Sequence, residues 1–145
     1  MSNNAYSNGN GGERTGGPAA PASTDVGTSL SPSVAFALLA DERDRFALYV
    51  LAAQEVSVPV DELVTRVTAL ENETKPASVT QKMERRTRTR LCHSTLPKLT
   101  SYRIATRDAD AVELTDRGEQ LQPYLEFSKE RERRYVQALL EQHGE

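Results

Sequence analysis

Residues 78–101 read SVTQKMERRTRTRLCHSTLPKLTS, and the reading of this stretch decides the fold. Ser78, with Gln81 three residues on, has capping-box spacing and predicts a helix start. Arg85, Arg86, Arg88 and Arg90 fall within six positions, and LPKL, Leu96 to Leu99, follows. From Lys82 to Arg107 there are eight Lys or Arg and one acid, Glu84, so this window carries +7. The 145-residue chain carries −3, so everything outside the window carries −10. Cations gathered on one helix and the segment after it, in an otherwise acidic chain, are the electrostatic footprint of a nucleic-acid face. The plainer alternative is a solvated helix face.

The basic helix has two apolar stripes. Val79, Met83, Thr87 and Leu91 share a side at four-residue steps, while Cys92, Leu96 and Leu99 lie on another. At ~100° per residue the stripes point more than a right angle apart. Either the helix is contacted from two sides or it bends. Pro97 supplies a reason to bend, since it cannot donate to the carbonyl of His93.

Upstream, Val60, Leu63, Val64, Val67 and Leu70 trace the i, i+3, i+4, i+7 stripe of a helix with Asp61 and Glu62 in its first turn. Glu55 to Val58 reads as a small edge strand stopped by Pro59. Before it, Ser31 or Ser33 caps a short helix through Ala40. Asp41 caps a second to about Gln54, with Phe46, Tyr49, Val50 and Ala53 at helical spacing. Downstream, Ile104–Arg107 and Ala111–Leu114 flank Asp108-Ala109-Asp110 and predict a short hairpin. Thr115 and Asp116 offer a cap for a last helix, interrupted or restarted at Pro123. Its apolar positions are Leu121, Tyr124, Leu125, Tyr135, Val136, Leu139 and Leu140, and its middle, Ser128–Arg134, is entirely polar.

Three regions follow: a tail over 1–29, a domain over 30–121 and a C-terminal helix over 122–145. The tail holds six of the eight glycines with Asn, Ser, Pro and Ala, a composition predicted to be disordered. No apolar run approaches the ~20 residues of a membrane span, and no secretory signal is present, so a cytoplasmic location is expected. The single cysteine, Cys92, fits a reducing compartment and reads as a core residue. Cys92 and His93, adjacent on a helix, point ~100° apart and cannot easily share an ion. With no CxxC, phosphate loop or GxSxG, the chain is read as a non-enzyme without catalytic residues, metal, cofactor or small-molecule ligand.

The element order is helix, helix, short strand, helix, long helix, hairpin, helix. This is the arrangement of a winged helix-turn-helix domain: mainly α, an α+β fold with a small β-hairpin wing, here with an extra C-terminal helix. LLADERDRFALYVL (38–51), VPVDELVTRV (58–67), the basic helix ending HSTLPKL (93–99) and VELTDRGEQL (112–121) resemble the uncharacterised winged-helix family common in haloarchaea, over about Leu30 to Leu121. That family usually places a glycine after LPKL, where this chain reads Thr100-Ser101-Tyr102-Arg103. The resemblance to archaeal transcription regulators implies double-stranded DNA as partner.

With Cys92, Leu96 and Leu99 packed inward, the opposite side carries Arg90, Ser94 and Lys98, with Arg86 and His93 adjoining. Arg can take guanine bidentately and Ser can contact base or phosphate. Arg85 and Arg88 lie nearer the flanks, as phosphate contacts. Arg103 and Arg107 flank the hairpin and approach the neighbouring backbone. The rival reading is a winged-helix protein-interaction module that does not bind DNA, with Val79 and Met83 as an exposed strip. Finally, Tyr124, Tyr135, Val136 and Leu139 on the last helix predict a homodimer, its polar middle pairing Glu with Arg across two antiparallel copies.

Overall fold

The computed structural model describes residues 29–143. The tail assigned to 1–29 therefore lies, but for Ser29, outside the described residues. Helix α1, Pro32–Ala40, starts where the Ser31 hydroxyl accepts the Val34 N–H, and Pro32 sits in its first turn, where its missing N–H costs nothing. Asp41 ends α1 in an extended conformation and caps α2, Glu42–Ala52, accepting from the Asp44 N–H at 3.0 Å. Helix α2 buries Phe46, Ala47, Leu48, Val50 and Leu51. Strand β1 is only Val58–Pro59, and α3, Val60–Glu71, buries Val60, Leu63, Val64 and Val67 as its stripe predicts. Leu70, assigned to the same stripe, is instead exposed at the helix end.

The basic helix starts later than its first cap signal. Ser78 closes a 3₁₀ turn, Pro76–Ser78, with its N–H already on the Lys75 carbonyl at 2.9 Å. Thr80, in extended conformation, is the cap of α4, Gln81–Arg90, and accepts the Met83 N–H. After Arg90 the helix opens into one wide π turn, Leu91–Thr95, closed by the Leu96 N–H bonding the Leu91 carbonyl five residues back. Helix α5, Leu96–Ser101, carries on with Pro97 in its first turn. The wide turn absorbs one extra residue, or ~100° of helical phase. Leu96 and Leu99 thereby swing into line with Thr87 and Leu91, and all four are at most 3% exposed. The two stripes become one, so neither a second packing partner nor a kink is needed.

Strands β2, Ala105–Asp108, and β3, Ala111–Leu114, form the hairpin, and β1 pairs the outer side of β3, giving the order β1-β3-β2. Pro59 stands on an edge, where a missing donor is tolerated. The Val60 N–H bonds the Asp110 carbonyl at 2.6 Å and ties the hairpin turn to the start of α3. Thr115 caps α6, Asp116–Glu119. Gly118 lies so close to β2 that a Cβ there would sit 2.1 Å from the Ile104 carbonyl oxygen, so only glycine lets α6 approach. The chain has a mainly helical, winged-helix-like α+β fold: a small three-stranded antiparallel sheet beside a helical core, plus a C-terminal helix. No helix among the described residues is long and apolar enough to cross a membrane.

Helix α7, Gln122–His143, begins rather than breaks at Pro123. Leu121 and Leu125 anchor it in the core, and the Tyr124 ring meets Phe36 edge-on at 5.5 Å. Its polar middle is held by α2. Arg45 grips Glu132 through Nε at 3.2 Å and Nη2 at 3.0 Å, while its Nη1 takes the Leu39 carbonyl at 2.6 Å. The Tyr49 hydroxyl donates to Glu132 at 2.6 Å and so accepts from Ser128 at 2.8 Å. Glu130 pairs with Arg133 and Arg134 of its own helix. Much of the charge that the sequence assigns to a second copy is therefore matched within the chain.

Burial, then the hydrogen bond to Glu132, pushes the Tyr49 phenol up to about 12. Burial works to raise Glu132, but the hydrogen bonds from Arg45 and Tyr49 outweigh it and hold the carboxyl below its ordinary value. A depressed carboxyl stabilises the fold above its unfolded-chain value near 4.3 and loses that contribution as pH falls through the folded value. Glu132→Gln should thus lower the urea midpoint at neutral pH and flatten the loss of stability below roughly pH 4. An unchanged acid limb would mean that Glu132 does not hold α7. Gly118→Ala should cost about 2–3 kcal/mol in the same assay, since backbone must shift to admit the methyl.

Candidate nucleic-acid interface

Three polar contacts set the rotation of α4 on α3. Thr65 donates to Glu84 at 2.7 Å, Thr87 donates to Glu71 at 3.1 Å, and Arg88 pairs with Asp61 at 2.9 Å. Glu71 also accepts from Arg43 at 2.7 Å, so α2 joins the same clamp. The acid Glu84 is thereby drawn toward α3. Lys82, Arg85, Arg86, Thr89 and Arg90 are left on the outside, spaced i, i+3, i+4, i+7, i+8, and line one shallow depression. Among the described residues none of these four cations has an acid partner. His93 and Ser94 are exposed on the wide turn that follows.

Two residues assigned to this face lie elsewhere. Lys98 turns inward, its Nζ 2.5 Å from Asp44 Oδ2, and Asp44 is buried with a side chain 4% exposed. The hydrogen bond to Asp44 outweighs burial and holds the Lys98 ammonium above its ordinary range. The cause is the buried carboxylate: Asp44 on α2 draws the long Lys98 side chain inward from the flank of α5. Lys98 is a tie between α5 and α2. Arg88 is half-buried and paired with Asp61, so its charge is already matched. Lys82 and Thr89 also belong to the face, beyond the residues that the sequence assigns to it. Their i, i+3, i+4 and i+7 spacing with Arg85 and Arg86 is the sequence signal for them once Thr87 is the buried side.

The hairpin supplies two more cations. Arg107 is exposed on β2, its Nε 3.4 Å from the Ala109 carbonyl. Arg103 joins α5 to the hairpin at φ 63°, the left-handed conformation. The Ile104 N–H bonds the Leu99 carbonyl at 2.8 Å and the Arg103 N–H bonds that of Thr100 at 3.0 Å. These are the two bonds of a Schellman helix end, whose left-handed position is usually glycine. Here an exposed arginine occupies it. Cys92 is half-buried against the core. Among the described residues no three His, Cys, Asp or Glu side chains gather as a metal site needs. On α7, Tyr124 is half-buried against Phe36, whereas Tyr135 and Val136 are exposed; the Leu139 side chain lies outside the described residues.

Arg103→Gly relieves a left-handed side chain and should raise stability by about 0.5–1 kcal/mol, measured by urea unfolding. A loss of stability would show that the arginine side chain makes a contact worth more than the strain.

Residues 36–115 match the model of a domain of unknown function, DUF7344. No curated protein and no solved structure matches the chain. The match runs from α1 through Thr115 and takes in α4, the wide turn and the hairpin, leaving α6 and α7 beyond it. It covers more than half of the chain, and the protein belongs to the DUF7344 family.

Proposed function

We propose that this protein binds double-stranded DNA in a sequence-specific manner and regulates transcription, acting in the cytoplasm. The observation that carries the reading is the row Lys82, Arg85, Arg86 and Arg90 on the outer side of α4, with no acid partner among the described residues. Helix α4 with the wide turn enters the major groove. Arg86 and Arg90 reach base edges, with His93 and Ser94 following them. Lys82 and Arg85 take phosphates. Arg103 and Arg107 approach the backbone from the hairpin side. The helix–hairpin order supports this docking, because a winged helix places its long helix in the groove and its wing against the neighbouring strand. In the rival reading, a protein-interaction module, Val79 and Met83 form an exposed strip; both are half-buried here, which speaks against that strip.

Selection from random duplexes at two salt concentrations gives the target site. On that site, Arg86→Ala with Arg90→Ala should abolish specific binding, since each bidentate arginine–guanine pair supplies about 1–3 kcal/mol of discrimination. Arg107→Ala should weaken binding evenly across sequences and reduce the salt slope by about 1. Lys98→Ala should act through stability alone. If the Arg86/Arg90 variant binds duplex DNA like the parent, the assignment of α4 fails.

A further inference from the structure

Six large apolar side chains are exposed among the described residues, and three of them line one groove between α1 and α7: Phe36 (62%), Phe127 (69%) and Tyr135 (66%), with Val136 (42%) next to Tyr135 on α7. Between the two helices runs an apolar groove of about 690 Å³, walled by Phe36, Leu39, Tyr124, Phe127 and Tyr135. Solvent-facing aromatics clustered along a groove mark a contact surface rather than the scattered apolar exposure of an ordinary monomer.

Two features identify the occupant. The first is α7 itself. Among the described residues its last hydrogen-bonded tie to the body is Glu132, held by Arg45 and Tyr49. From Arg133 to Ala138 it is exposed throughout, and Arg133 and Arg134 bond only to Glu130 of the same helix. These six residues, under two turns, gain little from packing on their own chain, and a helix end of this kind is marginal in water. It cannot fill the groove of its own chain, because α7 is one wall of that groove. A second copy brings both the helix end and a groove to receive it. The second feature is charge. Residues 122–143 carry four cations (Lys129, Arg131, Arg133, Arg134) and four acids (Glu126, Glu130, Glu132, Glu141), so two such helices meet without net repulsion. The charged groove residues are Arg131 and Glu132, one of each sign; Arg131 lies over the Phe127 ring and Glu132 is held by Arg45. Nothing in this lining selects a strongly acidic or basic partner.

We propose that the groove between α1 and α7 seats a second copy of this chain. The two α7 helices cross antiparallel about a two-fold axis, and each lays its Tyr135–Val136 end against Phe36 and Phe127 of the other. The contact is isologous, so the same residues are covered on both copies and the assembly closes at two. The α1 aromatic is integral to it, which distinguishes this seat from a seam between the two C-terminal helices alone. The inference does not depend on what α4 binds.

Sedimentation velocity of the full chain, without nucleic acid and at high micromolar concentration, should report twice the 16.0 kDa chain mass. Phe36→Ser and Phe127→Asp, made separately, should each return the single-chain mass. Both side chains are exposed, so far-UV circular dichroism and the thermal transition should stay close to the parent's. Tyr135→Ser replaces either variant that fails this folding check. A full-length monomer overturns the proposal. So does a dimer that survives Phe127→Asp, or one that Phe127→Asp breaks and Phe36→Ser leaves intact.

Discussion

Pro97 has no N–H to give the carbonyl of His93, and the helix meets this constraint just upstream by widening over Leu91–Thr95. The consequence is rotational. A five-residue step from Leu91 to Leu96 fails to return to the same side of an α-helix, but it does so across one π turn. Thr87, Leu91, Thr95, Leu96 and Leu99 thereby reach one core, and what lies outside is fixed by what has gone in. The exposed row from Lys82 to Arg90 and the exposed pair His93 and Ser94 follow from this change of phase, while Lys98 is drawn inward by the buried Asp44.

Charge pairing then selects among the cations that remain. Asp61 takes Arg88, Asp44 takes Lys98, and Glu84 is turned toward Thr65. The acids that make the rest of the chain negative thus include some that sit at the edges of the basic segment and match its outlying charges. What they leave is compact: four cations in one depression of α4, with Arg103 and Arg107 on the hairpin side. For nucleic acid this arrangement matters more than net charge, because phosphate contacts act over a Debye length of roughly 10 Å.

Helix α7 divides its loyalties along its length. Leu125 is core, Ser128 and Glu132 belong to α2 through Tyr49 and Arg45, and Tyr135 and Val136 face solvent. Arg45 holds three elements at once, since the same guanidinium takes Glu132 and the Leu39 carbonyl at the end of α1. The polar network of Arg45, Tyr49 and Glu132 therefore holds in place the helix whose aromatic side chains wall the α1–α7 groove.

The sequence by itself determined the element order, the apolar faces of α2 and α3, the existence of the hairpin and the place of the basic helix, while the first strand of the hairpin lies one residue later than expected and Asp108 pairs with Ala111. The features it determined follow from local rules: period 3.6, period 2, caps at Ser31 and Asp41, and the turn-forming run Asp108-Ala109-Asp110. It also named Arg85, Arg86 and Arg90, which needs only their clustering. The structure, against the Ser78–Gln81 spacing, decided the start of α4: Ser78 closes the turn begun at Pro76, and Thr80 caps the helix. It alone decided the phase of α5, because a π turn depends on the core accepting Leu96 and Leu99, and the fate of Lys98, because Asp44 lies buried beside it. And it alone decided that Asp44, Asp61 and Glu132 find partners 54, 27 and 87 positions away in sequence, since an ion pair depends on proximity that no local pattern encodes.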